Sequence, residues 1–171
     1  MDLKAHIRGI PDFPIPGILF YDISTILSNP SALEYAVTSM EEKISAWQPD
    51  IIAGIESRGF LFATPLAMRM GLPMMMIRKA GKLPGEVVSY EYELEYGTDT
   101  IQIQADAIKA GQKVVIIDDL LATGGTLSAS VRLCQQVGGE VVGCGVVIEL
   151  DFLSGTDALE VPCISLVNYS N

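Results

Sequence analysis

Apolar positions recur along the chain with two periods. After Asn29 and Pro30, Leu33, Val37, Met40, Ile44 and Trp47 return at intervals of four and three. The stretch "NPSALEYAVTSMEEKISAW" therefore predicts a helix with one apolar face. Asn29 suits its N-cap, and Pro30 the first helical position, where the missing N–H would be unpaired anyway. A second helix is expected over 59–70, stopped by Gly71. A third, over about 125–137, carries Leu127, Val131, Cys134 and Val137 on one face. Short apolar runs in "PDIIAG", "LPMMMI", "KVVIID" and "GGEVVGCGVVIEL" predict buried strands, and "CISLVN" a last one. The segment "SYEYELEYGTDTIQIQA" instead alternates, with Tyr90, Tyr92, Leu94 and Tyr96 on one face and Glu91, Glu93 and Glu95 on the other. It predicts a β-hairpin that turns at Gly97 to Asp99.

Strands that alternate with helices predict an α/β fold, an open and mostly parallel sheet flanked by helices. The length of 171 residues fits one domain over 1–171, with no internal repeats or linkers. Pro11, Pro14 and Pro16 keep the N-terminal arm extended. Apolar content of 49% against 19% charged residues marks a globular chain. No apolar run approaches the roughly 18 residues of a membrane helix, and the polar N-terminus lacks a signal-peptide core. Three cysteines without C-x-x-C spacing read as reduced thiols of a cytoplasmic protein.

A net charge of −10 argues against a general binder of nucleic acid or anionic membrane. Basic residues nonetheless gather locally. Arg78, Lys79 and Lys82 lie close together, and Arg58 stands in a glycine-flanked segment. His6 is the single histidine, which makes a histidine-based triad improbable.

The stretch "VVIIDDLLATGGT" carries the chemistry. Its apolar run delivers Asp118 and Asp119 to the end of a buried strand, and a loop at 119–124 leads into a helix. In an open parallel sheet, ligands bind beyond such strand ends. The first N–H groups of the helix are unpaired and partly positive. Ala122, Thr123, Gly124, Gly125 and Thr126 are small enough to let an anion approach them, and the threonines add hydroxyl donors. Acceptors followed by anion-binding donors match a sugar phosphate, with its diol on the carboxylates and its phosphate in the loop. The plainer alternative is a helix N-cap beside two solvated acids.

This stretch resembles the signature of the type I phosphoribosyltransferases, in the form found in the branch that acts on adenine. "IPDFPIPGILFYDIS" is similar to that family's N-terminal arm, and "IAGIESRGFLFA" to its pyrophosphate-side loop. "RKAGKLPG" and "YELEYGTD" resemble its mobile catalytic loop, and "VIEL" its base-facing strand end. The resemblance implies a base-binding arm over 1–28 and a mobile loop and hairpin over 79–104. It implies transfer of a phosphoribosyl group from phosphoribosyl pyrophosphate to adenine, giving AMP and pyrophosphate in purine salvage. Mg²⁺ would be held mainly by substrate rather than by direct protein ligands, and the enzyme would be a cytoplasmic homodimer. By the same resemblance Asp118 and Asp119 hold the ribose hydroxyls, and Ala122, Thr123, Gly124, Gly125 and Thr126 hold the 5′-phosphate. Arg58, Lys79 and Lys82 face pyrophosphate, and Glu95 is the catalytic acid/base. Phe20 and Leu150 sandwich the purine.

From periodicity alone Glu95 is one of three acids on a solvated face, and Phe20 and Leu150 would be core. Tyr21 stands where the family often has a basic residue, and Ala63 where glycine is common. Two other functions stay open: the same transfer to another base, and a non-enzymatic regulator that senses phosphoribosyl pyrophosphate.

Overall fold

The computed structural model describes residues 1–94 and 96–170. A 3₁₀ turn, Leu3–His6, leads into an arm made of β1 (Arg8–Pro11), β2 (Leu19–Asp22) and α1 (Ser24–Leu27). The body then runs α2 (Pro30–Ile44), β3 (Ile51–Ile55), α3 (Phe60–Met70) and β4 (Met74–Lys79). It continues through β5 (Val87–Glu93), β6 (Thr98–Gln104), β7 (Lys113–Leu121), α4 (Gly125–Gln136), β8 (Glu140–Leu150) and β9 (Cys163–Tyr169).

Among the described residues the main sheet has the order β5-β6-β4-β3-β7-β8-β9, while β1 and β2 pair as a separate two-stranded ribbon. Strands β4, β3, β7, β8 and β9 run parallel, and the β5–β6 hairpin adds an antiparallel edge. Alternate residues of β7 point to opposite faces. Val115 and Ile117 pack with Val37, Met40 and Ile44 of α2 and Phe62 and Leu66 of α3. Val114 and Ile116 pack with Leu127, Val131 and Cys134 of α4 and with Ile101 and Ile103 of the hairpin. Both faces are therefore covered, as the unbroken apolar runs of the strands require.

The expected elements form, with local differences. Asn29 Oδ1 accepts from Ser31 N and Ala32 N, at 3.1 and 3.2 Å, and so caps α2. The apolar stripe of α2 is wider than expected, since Ala32 and Ala36 are buried too. Strand β7 continues through both acids to Leu121 and shortens the following loop to Ala122–Gly124. Its alternation persists to the end, with Asp119 and Leu121 buried. The hairpin turn also differs: Leu94 N donates to Gly97 O at 2.9 Å, so the chain reverses before Thr98 and Asp99 is already in β6. Gly97 takes φ +81°, which a β-carbon would disfavour. Tyr90 and Tyr92 face the core, whereas Leu94 and Tyr96 are exposed at the tip.

Strand order reverses at β3. From β3 the chain crosses to β4 on one side, and β7 lies on the other. This switch point leaves a crevice outside the carboxyl ends of β3 and β7, where the two helix-bound connections part.

Candidate active site

The crevice opens as a cavity of about 470 Å³ lined by Glu56, Arg58, Lys79, Asp118, Asp119 and Thr126, among others. The chain after β3 supplies Glu56 and Arg58, β7 supplies the two aspartates, and β4 ends on Lys79. Asp119 follows the parity of Val115 and Ile117, which turns it toward the α3 side. There Arg58 Nε sits 2.8 Å from Asp119 Oδ2. Gly59 makes this closeness possible. A β-carbon on it would lie 2.5 Å from Ile55 O and 2.8 Å from Ile117 O.

The two aspartates titrate upward. Burial, then the neighbouring Asp119 charge, push Asp118 well above the ordinary carboxylate range. Burial also raises Asp119, while the Arg58 guanidinium pulls the other way. Asp118 Oδ1 accepts from Asp119 N at 2.8 Å, which partly offsets its desolvation. Each ionised carboxylate can accept several hydrogen bonds, so the pair can take further donors such as vicinal hydroxyls.

Beside the acids, a second cavity of about 110 Å³ is lined by Asp118, Leu120 and the run from Leu121 to Leu127. Gly124 is the N-cap of α4 and brings no side chain, so no side-chain bond closes the first turn. Its φ of +86° turns the loop, and a β-carbon there would run into Gly155 O. The amides at the start of α4 thus face a small hollow with the macrodipole behind them, which suits a phosphate. Thr126 lines both cavities.

The basic residues are gathered but not idle. Lys82 Nζ lies 2.5 Å and Arg78 Nη2 3.3 Å from Glu56 Oε1, while Lys79 N donates to Glu56 Oε2 at 2.8 Å. Burial pushes the Glu56 carboxyl up, but these donors outweigh it and hold the group down at about 2. Lys79 Nζ pairs with Asp99, whose carboxylate also accepts from Tyr92 Oη at 3.4 Å. Tyr92 Oη is 3.2 Å from Thr126 Oγ1, so the hairpin touches the first turn of α4.

Of the expected site residues, Arg58, Lys79, Asp118, Asp119 and Thr126 therefore share one cavity, and Lys82 joins it through Glu56. Ala122, Thr123, Gly124 and Gly125 form the adjoining hollow. Phe20 reaches the site as a ring 5.3 Å from the Arg58 guanidinium carbon. Leu150 instead lines an apolar pocket of about 320 Å³ with Ile18, Leu19, Tyr21, Phe152 and Leu153. Phe20 does not line that pocket. Glu95 lies outside the described residues.

Sequence reasoning passed over Glu56, Asp99 and Tyr92. Glu56 had a signal, since it follows the buried run "IIAGI" just as Asp118 follows "VVII". Asp99 had none, because it was placed in a turn.

The phosphoribosyl transferase domain family matches residues 22–168. The adenine phosphoribosyltransferase of Gluconacetobacter diazotrophicus is 58% identical, over 100% of this chain and 97% of that protein. That of Acidiphilium cryptum is 55% identical over 99% of each chain. Among solved structures, the adenine phosphoribosyltransferase of Thermoanaerobacter pseudethanolicus matches with a TM-score of 0.95 and 47% identity, covering 98% of both chains. The Saccharomyces cerevisiae enzyme, solved with adenine and an imino-altritol bisphosphate, matches with a TM-score of 0.91 and 41% identity over 96% of both chains.

Proposed function

The chain belongs to the phosphoribosyl transferase family, and from that membership we infer that it transfers the phosphoribosyl group of phosphoribosyl pyrophosphate to adenine. The products are AMP and pyrophosphate, and the pathway is purine salvage. The observation that carries this reading is the acid pair set beside an uncapped, glycine-led helix start, in a chain 58% identical to an adenine phosphoribosyltransferase.

The residues fit the chemistry. Displacement at the anomeric carbon passes through an oxocarbenium-like state, with positive charge growing on the ribose. Asp118 and Asp119 would accept hydrogen bonds from the ribose 2′ and 3′ hydroxyls. Those donors favour the ionised carboxylates that oppose the growing charge. Residues Ala122 to Thr126 would hold the 5′-phosphate through the α4 amides. Arg58, Lys79 and Lys82 would turn to the leaving pyrophosphate, with Arg78 beside them. Phe20 and Leu150 would flank the purine once base and arm come together. We assign Glu95 the proton on the adenine ring as N9 attacks, on the likeness of "LEYG" to the family's loop.

Mg²⁺ fits as a substrate-borne ion. Asp119, Asp99 and Glu56 already pair with cations of the chain. When bound, Mg²⁺ would neutralise the diphosphate and stabilise it as a leaving group. Leu61 and Met68, both exposed on α3, support a homodimer that covers them. Free thiols at Cys134, Cys144 and Cys163 support a cytoplasmic setting.

The test is a panel of bases with phosphoribosyl pyrophosphate and Mg²⁺, read by pyrophosphate release. Adenine is expected to turn over. Turnover of guanine or a pyrimidine with none of adenine rejects the reading.

A further inference from the structure

The ribbon of β1 and β2 meets the body through aromatic rings as well as through Ile18 and Leu19 beside Leu150. Among the described residues every hydrogen bond made by residues 8–22 closes within residues 1–28. Two aromatic contacts leave it. Phe20 faces Arg58, and Tyr21 stacks on Tyr169 with centroids 3.9 Å apart and planes 24° apart. Lys4 Nζ sits 5.0 Å from the Tyr169 ring and extends the column to the chain's first turn.

Successive strand residues point to opposite sides. Seating Tyr21 on Tyr169 therefore fixes which way Phe20 points. Tyr169 is also the register partner of Leu150, the last residue of β8. One stack thus joins the strand that carries Phe20 to the strand pair that carries Leu150.

We propose that Tyr21 is a positioning residue for the purine: its stack on Tyr169 sets the arm against the end of β8 and β9, and so the spacing between Phe20 and Leu150. This inference rests on the adenine-transfer reading of the site. The part of Tyr21 that acts is its ring, since the contact is a stack. The phosphoribosyl half of the site gathers around β3, β7 and α4, and Tyr21 lines neither of its two cavities.

Steady-state kinetics of the full chain decide. Tyr21→Ala is expected to raise KM for adenine about ten-fold, the size of losing an aromatic pair, while KM for phosphoribosyl pyrophosphate holds within about two-fold. Tyr21→Phe keeps the ring and is expected to behave as wild type. Tyr169→Ala is expected to reproduce the rise, and the double variant to add nothing to it, because both changes break one contact. Tyr21→Leu keeps apolar bulk without the ring and serves if the alanine variant does not fold. It too is expected to raise KM for adenine alone. An unchanged adenine KM in the Tyr21→Ala or Tyr21→Leu variant, equal rises for both substrates, or a silent Tyr169→Ala overturns the proposal. If wild-type protein fails to convert adenine, the reading of the site falls first. If it converts adenine and the Tyr21 variants match it, only this inference falls.

Discussion

Arg58 and Asp119 form an ion pair of 2.8 Å across the mouth of the crevice, with the aspartate almost wholly enclosed and the arginine half open. The pair joins the connection after β3 to the end of β7, so a single contact bridges the switch point. It also pulls against burial at both acids, more at Asp119 than at Asp118, although burial still leaves both titrating upward.

Removing the guanidinium is therefore expected to move the acid limb of the pH–rate profile to higher pH in Arg58→Ala. Arg58 lowers the pKa of both aspartates, so without it protonation begins earlier as pH falls. Full pH profiles of kcat/KM for both proteins check this, and coincident acid limbs contradict it. Asp119→Asn is expected to raise KM for phosphoribosyl pyrophosphate by roughly ten- to a hundred-fold, the worth of a charged hydrogen bond to a ribose hydroxyl.

Glu95→Gln should lower kcat by about a hundred-fold or more while leaving substrate affinities nearly unchanged, as loss of a general acid or base does. Single-turnover rates with saturating adenine separate this from slow product release. Wild-type turnover in the variant removes Glu95 from the chemistry.

Glu56 ties the stability of the site to pH. Its folded-state pKa of about 2 lies below the ordinary 4.5, so its ion pairs stabilise the protein fully above about 4.5. That contribution is lost as pH falls from there toward about 2. Thermal midpoints measured between these values should drop less steeply for Glu56→Gln than for wild type. Parallel curves would show that the Lys82, Arg78 and Lys79 contacts carry no weight.

Gly59→Ala is expected to cost about 2 kcal/mol or more, because the obstacles its β-carbon meets are the carbonyl oxygens of Ile55 and Ile117. Separating those strand ends would also pull Arg58 from Asp119. Denaturant midpoints and KM for phosphoribosyl pyrophosphate should worsen together. A stable variant with normal binding would mean that the crevice tolerates widening.

The helices and parallel strands were legible in the sequence because their apolar spacing is set by the faces they bury. The acid pair and the short loop before α4 were legible because a strand, two carboxylates and small residues stand consecutively in the chain. The pairing of Lys79 with Asp99 was not legible, since it depends on the register of β6 against β4 and β5. Turn chemistry reads 97–99 as the hairpin's turn, yet Thr98 and Asp99 continue the ladder opposite Glu93 and Tyr92. The Tyr21–Tyr169 stack was hidden for the same reason, as it joins the two ends of the chain.

The carboxylates of Glu56 and Asp99 have one more consequence. They pair with Lys82, Arg78 and Lys79, so under the proposed function an incoming diphosphate would swap partners with these side chains instead of meeting bare cations. Its hold on the enzyme is then the difference between two sets of contacts. A shallow trap of that kind lets the spent diphosphate leave, with the internal acids ready to reclaim their lysines behind it.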